Sequence, residues 1–107
     1  MDKINEFLKK HYSECVIKGI KLVQPCKRIE CADGFSISVQ ANKYAYCMPA
    51  ANKAWPYDSV ELGFPNAIDE LIELYSEAPG STNTIYGYVP ISIVEYLVEK
   101  HGGISNF

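Results

Sequence analysis

The sequence predicts an α+β fold: a single domain in which a curved antiparallel sheet of about five strands carries three helices packed on it. Three observations predict it. The chain has 107 residues, enough for one modest core and too few for two domains or a barrel enzyme. A hairpin signal lies in the first half, and a hairpin means antiparallel pairing. Helical periodicity recurs at the start, at the end and once between strands. Hydrophobic residues at 48% and charged residues at 21% exclude wholesale disorder. The domain is expected to span residues 1–107, with 104–107 a frayed tail.

The elements follow in order. Asp2 can cap a helix over residues 3–12, whose stripe is Ile4, Phe7, Leu8 and His11. Residues 15–23 (CVIKGIKLV) are rich in β-branched side chains and read as one strand, with Val16, Ile20 and Leu22 on one face. Gly19 then marks a bulge or a close backbone approach. Arg28–Cys31 and Phe35–Ala41 alternate on either side of Asp33-Gly34, the signature of a hairpin. Phe35, Ile37, Val39 and Ala41 face inward, and Ser36, Ser38 and Gln40 face water. Tyr44–Cys47 reads as a short strand and residues 48–57 as a loop. Val60, Leu62 and Phe64 alternate as the apolar side of another strand.

From Pro65-Asn66 a helix is expected, with Ile68, Leu71, Ile72 and Tyr75 as its stripe. Asp69, Glu70, Glu73 and Glu77 form its acidic face. Residues 78–83 are turn-rich, and 84–89 read as the last strand. Pro90 suits the first turn of a final helix, with Val94, Leu97, Val98 and His101 as its stripe and Gly102 as its C-cap.

Charge is divided along the chain. Residues 1–53 carry nine Lys/Arg against five Asp/Glu, and residues 54–107 carry one against eight. The halves are therefore +4 and −7, a bipolar pattern that steers an oppositely charged partner. The overall charge of −3 lacks the dense basic surface that general nucleic-acid binding needs. Residues 1–14 are polar, so no secretory peptide is expected, and no run approaches the ~20 apolar residues of a membrane span. The expected location is the cytoplasm, with no membrane partner and with reduced cysteines.

No motif assigns catalysis. The cysteines are spaced Cys15-x₁₀-Cys26-x₄-Cys31-x₁₅-Cys47, without the tight knuckles of a zinc site, and read as small buried hydrophobes. His11 and His101 end apolar stripes and read as half-buried packing residues. There is no nucleophile elbow and no phosphate-cradling glycine loop. No catalytic residue, metal ligand or cofactor is therefore expected. Aromatics are the better lead. Trp55 and Tyr57 occupy a loop with no evident core role. Tyr44 with Tyr46, and Tyr86 with Tyr88, are expected to share strand faces.

The blocks Ala32–Ala41, Tyr46-Cys47, Val60–Pro65, Ile85–Pro90 and Lys100–Ile104 resemble those of small uncharacterised proteins carried by bacteriophages and mobile elements of Gram-positive bacteria. The resemblance covers residues 15–104 as a string of short blocks. It implies no catalytic residue. One departure concerns Cys47-Met48-Pro49, which Ala50 follows where the group has a basic residue.

What the resemblance implies is a binding role, since small acidic phage proteins often inhibit host defence. The first expectation is an anti-CRISPR-like antagonist acting by protein–protein contact. Trp55 and Tyr57 would be its anchors, and Asp69, Glu70, Glu73 and Glu77 would meet a basic host surface. The alternative is an oligomeric sponge for a nucleotide signal, using Ser36, Ser38, Gln40, Tyr44, Tyr46, Tyr86 and Tyr88. A structural or regulatory phage module is the third.

Overall fold

The chain opens with α1 (Lys3–Lys10), and its start is built as the sequence implies. Asp2 Oδ1 accepts the Asn5 amide at 2.7 Å, while Ile4, Phe7 and Leu8 are buried. In this computed structural model, which describes all 107 residues, six strands and a second helix follow. They are β1 (Glu14–Ile17), β2 (Ile20–Val23), β3 (Ile29–Glu30), β4 (Ser36–Gln40), β5 (Ser59–Gly63), β6 (Ile85–Pro90) and α2 (Ile91–Lys100). The fold is α+β with two antiparallel sheets. One holds β1 and β2; the other runs β3-β4-β5-β6.

Two helices form where three were expected, and the five-stranded sheet is replaced by a four-stranded one plus a separate hairpin. Residues 15–23 are not one strand. Lys18 and Gly19 both adopt positive φ, +52° and +79°, and fold the segment into the β1–β2 hairpin. Tyr44–Cys47 is a series of turns rather than a strand. Asn42 Oδ1 takes the amides of Tyr44 and Ala45, which curls the chain there.

The helix expected from residue 66 reduces to a single 3₁₀ turn, Glu73–Tyr75. Two causes are visible. Asp69 and Glu73, and Glu73 and Glu77, would be like charges four residues apart on a helix. Asp69 also spends its carboxylate on the Leu71 amide, at 3.0 Å, and its carbonyl on Ile72.

The four-stranded sheet buries one face. Phe35, Ile37 and Val39 meet Val60, Leu62, Val89, Val94 and Leu97 in one continuous core. Asn5, wholly buried on α1, ties this core to the loop before β5. Its Oδ1 accepts the Tyr57 amide at 2.7 Å, and its Nδ2 donates to the Tyr57 carbonyl at 3.1 Å. The tail is not frayed. Ile104 bridges Cys31, the Ser105 amide reaches Glu30 at 2.7 Å, and Asn106 holds both Glu30 N and Arg28 O. Residues 104–106 thereby cover the outer edge of β3.

Candidate partner-binding face

The other face of the sheet is open. Cross-strand pairing places Ser38 opposite Gly63 and Gln40 opposite Glu61 on that face. Ser36, Ser38, Gln40 and Glu61 are all half-exposed. A hollow of about 370 Å³ lies over Ser38, Gln40 and Glu61, with Tyr44, Phe64, Val23 and Pro25 at its walls.

Two aromatics reach this face through strained backbone. Phe64 has φ +51° and Tyr88 has φ +53°, a region that costs bulky side chains about 1–2 kcal/mol each. The two residues stay 48% and 52% exposed, so the strain displays them rather than burying them. At Phe64 the strand ends and the ring turns away from the core, out of line with Val60 and Leu62. Its carbonyl is held by Arg28 Nη2 at 2.7 Å and its amide by Thr84 O.

At Tyr88 the cause is a bulge. Val60 pairs Val89 and Leu62 pairs Tyr86, so Gly87 and Tyr88 oppose Glu61 alone. The extra residue reverses the alternation. Tyr86 is fully buried while Tyr88 faces outward, so these two tyrosines do not share a face. Tyr88 instead stacks on Tyr46, with centroids 5.8 Å apart and planes at 26°. Its amide donates to the Tyr46 carbonyl, and the Tyr46 amide donates to Glu61 Oε1 at 3.0 Å. Gly87 lies under Tyr46, where an added Cβ would come within 3.3 Å of the Tyr46 Cβ.

The expected anchors lie elsewhere. Tyr57 is 2% exposed and belongs to the core; its hydroxyl accepts the Ala54 amide and donates to the Ala51 carbonyl. Trp55 is half-buried and packs edge-to-face on Tyr12 at 5.4 Å. The acidic set is dispersed because its helix does not form. Glu70 and Glu77 are exposed, Glu73 accepts the Gly80 amide, and Asp69 is buried. Within the alternative set, the Gln40 amide is engaged at both ends: Oε1 accepts Cys26 N, and Nε2 donates to Cys26 O and Ser38 Oγ.

Asp69 enters a cluster that the sequence does not signal. His101 Nε2 lies 2.9 Å from Asp69 Oδ2, and Nδ1 lies 2.6 Å from Asp33 Oδ2. Lys100 Nζ reaches Asp69 at 3.1 Å, and the imidazole lies flat on Phe35 at 4.0 Å. Burial alone lowers the His101 pKa, but the two carboxylates outweigh it and hold the imidazole above its ordinary value. Both ring nitrogens are engaged, so the imidazole acts as a clamp between α2, the Asp33 turn and the Asp69 loop.

The cysteines are free thiols. Burial pushes Cys26 up to about 11 and also raises Cys31 and Cys47, opposite to the shift an activated thiolate needs. No group of three or more His, Cys, Asp or Glu is placed to hold a metal ion. No helix is long and apolar enough to cross a membrane.

No protein-family model, curated protein or solved structure matches this chain.

Proposed function

We propose that this chain is a non-enzymatic binding protein of a phage or mobile element, acting in the bacterial cytoplasm as an anti-CRISPR-like antagonist of a host defence protein. The contact is made by the open sheet face. The observation that carries this reading is the strained display of Phe64 and Tyr88, each held at positive φ and left half-exposed. Glycine would take that backbone without strain. Aromatic side chains there make sense as the rigid anchors that dominate protein interfaces. Tyr44, Tyr46 and the Glu61 carboxylate extend the face, and Glu61 favours a partner with a basic surface. The same carboxylate repels a phosphate, and the Gln40 amide is engaged at both ends, so the face fits a protein better than a nucleotide signal.

The test is phage plaquing on host strains that each carry one defence system, with and without this protein. Wild type is expected to restore plaquing against one system. Phe64→Ser with Tyr88→Ser is expected to lose that effect at an unchanged melting temperature. Restoration against none, or equal restoration by the variant, would sink the proposal.

A further inference from the structure

The β1–β2 hairpin contributes no buried residue, yet one of its faces is wholly apolar. Cross-strand partners share a face, so Cys15 with Leu22, and Ile17 with Ile20, lie together. Ile17, Ile20 and Leu22 are 54%, 62% and 42% exposed. The opposite face carries Glu14, Val16, Lys21 and Val23. Lys21 and Lys53 both reach Glu14, at 3.7 and 3.8 Å, and Lys18 stands at the turn. The two faces therefore differ: the underside is wholly apolar, and the upper side sets Lys21 and Glu14 among Val23 and Val16, the latter 66% exposed. An isolated two-stranded hairpin is marginal in water, and Ile17, Ile20 and Leu22 stand exposed on this one.

We infer that the apolar face of this hairpin seats on an anionic lipid surface, the inner face of the host membrane. Two arguments select this occupant. The first is area. Stacking the hairpin on that of a second copy would bury roughly 600 Å² in total, about half of what a stable interface needs. A lipid surface has no such limit, and the three exposed aliphatics would enter the headgroup–acyl boundary. The second is charge. Lys18 stands at the turn and Lys21 on the face opposite the apolar one, where both would meet anionic headgroups with the apolar side down, and Lys21 and Lys53 share the single carboxylate of Glu14. The acidic segment 69–77 packs by β6, at the far edge of the large sheet, where Ser76 bridges Tyr86. This surface attachment needs no spanning segment. It also leaves the aromatic sheet face for a protein partner, so each inference can fail alone.

The experiment is co-sedimentation of the full chain with vesicles of phosphatidylglycerol and phosphatidylcholine. Wild type is expected to bind them, to bind phosphatidylcholine alone weakly, and to release as salt rises. Ile17→Ser with Ile20→Ser is expected to weaken binding at least about tenfold, because two apolar side chains no longer leave water. These positions touch no core, and a thermal melt checks that the variant stays folded. Lys18→Gln with Lys21→Gln is expected to remove the preference for phosphatidylglycerol. Failure of wild type to bind overturns the inference, as does binding that survives the isoleucine change. Ultracentrifugation showing an oligomer that the isoleucine change dissolves overturns it too, by assigning the face to a second copy.

Discussion

His101 is joined to Asp69 across 2.9 Å, and this pair decides how stability should depend on pH. Asp33, on the other ring nitrogen, and Lys100, 3.1 Å from both oxygens of Asp69, complete the charged groups around it. The His101 pKa is raised on folding. A raised histidine stabilises fully below its unfolded value and loses that contribution as pH climbs through the folded value. Asp69 works in the opposite direction. Burial opposes its charge, but the Leu71 amide, His101 and Lys100 hold its pKa down, so its contribution is lost only in acid. Melting temperature is therefore expected to hold between the carboxylate range and about pH 6.5, then fall as pH climbs through the raised His101 value. Melts of wild type and His101→Gln across that interval check it, the variant giving a flatter alkaline limb. Equal slopes would show that the clamp does not bind a proton on folding.

Asn5 is the second stability determinant. It is fully buried, and its side chain satisfies both backbone groups of Tyr57. Asn5→Ala leaves that buried amide and carbonyl unpaired, which is expected to cost roughly 2–3 kcal/mol. Urea denaturation measures this directly. A loss below about 0.5 kcal/mol would mean that water replaces the amide.

Local patterns were legible where one rule acts alone. The Asp33-Gly34 hairpin alternates on both sides of its turn, and Gly34 sits at φ +95° as that turn requires. Asp2 and the stripe of α1 were legible for the same reason. The β1–β2 turn was not, because Lys18 is an unusual residue at positive φ and gives no turn signal. On the candidate face, alternation placed Ser36, Ser38 and Gln40 on the wet side of β4, but it read Tyr44 and Tyr46 as one strand where the chain curls instead. It placed Tyr88 beside Tyr86 because strict alternation takes no account of a bulge, whose one mark is Gly87, and it placed Phe64 with the core because alternation does not show that β5 ends at Gly63. Tyr57 looked available because its partner Asn5 is 52 residues away. The His101 clamp joins positions 32 and 68 residues apart, and no local spacing encodes that.

Gly102 and Gly80 form a matched pair. Both have φ near +90°, at +92° and +88°. An alanine Cβ at Gly80 would meet nothing within 4 Å, whereas at Gly102 it would lie 2.9 Å from the Ala32 Cβ. Gly80→Ala is thus expected to cost about 1 kcal/mol, from backbone strain alone. Gly102→Ala is expected to cost clearly more, because α2 and the Asp33 turn must separate. Chemical denaturation of both variants gives the comparison. Equal losses would mean that the end of α2 yields easily.

Lys18→Asn is expected to stabilise the hairpin without stabilising the core. Lys18 and Gly19 at φ +52° and +79° form a two-residue turn of type I′. Asn tolerates left-handed backbone better than Lys, so Asn-Gly should gain up to about 1 kcal/mol locally. The hairpin buries nothing, so the gain should appear in local opening and not in global unfolding. Amide exchange across β1 and β2 should slow by several-fold while the melting temperature stays put. A matching rise in melting temperature would show instead that the hairpin unfolds with the core. That would require contacts between hairpin and sheet stronger than its exposed aliphatics suggest.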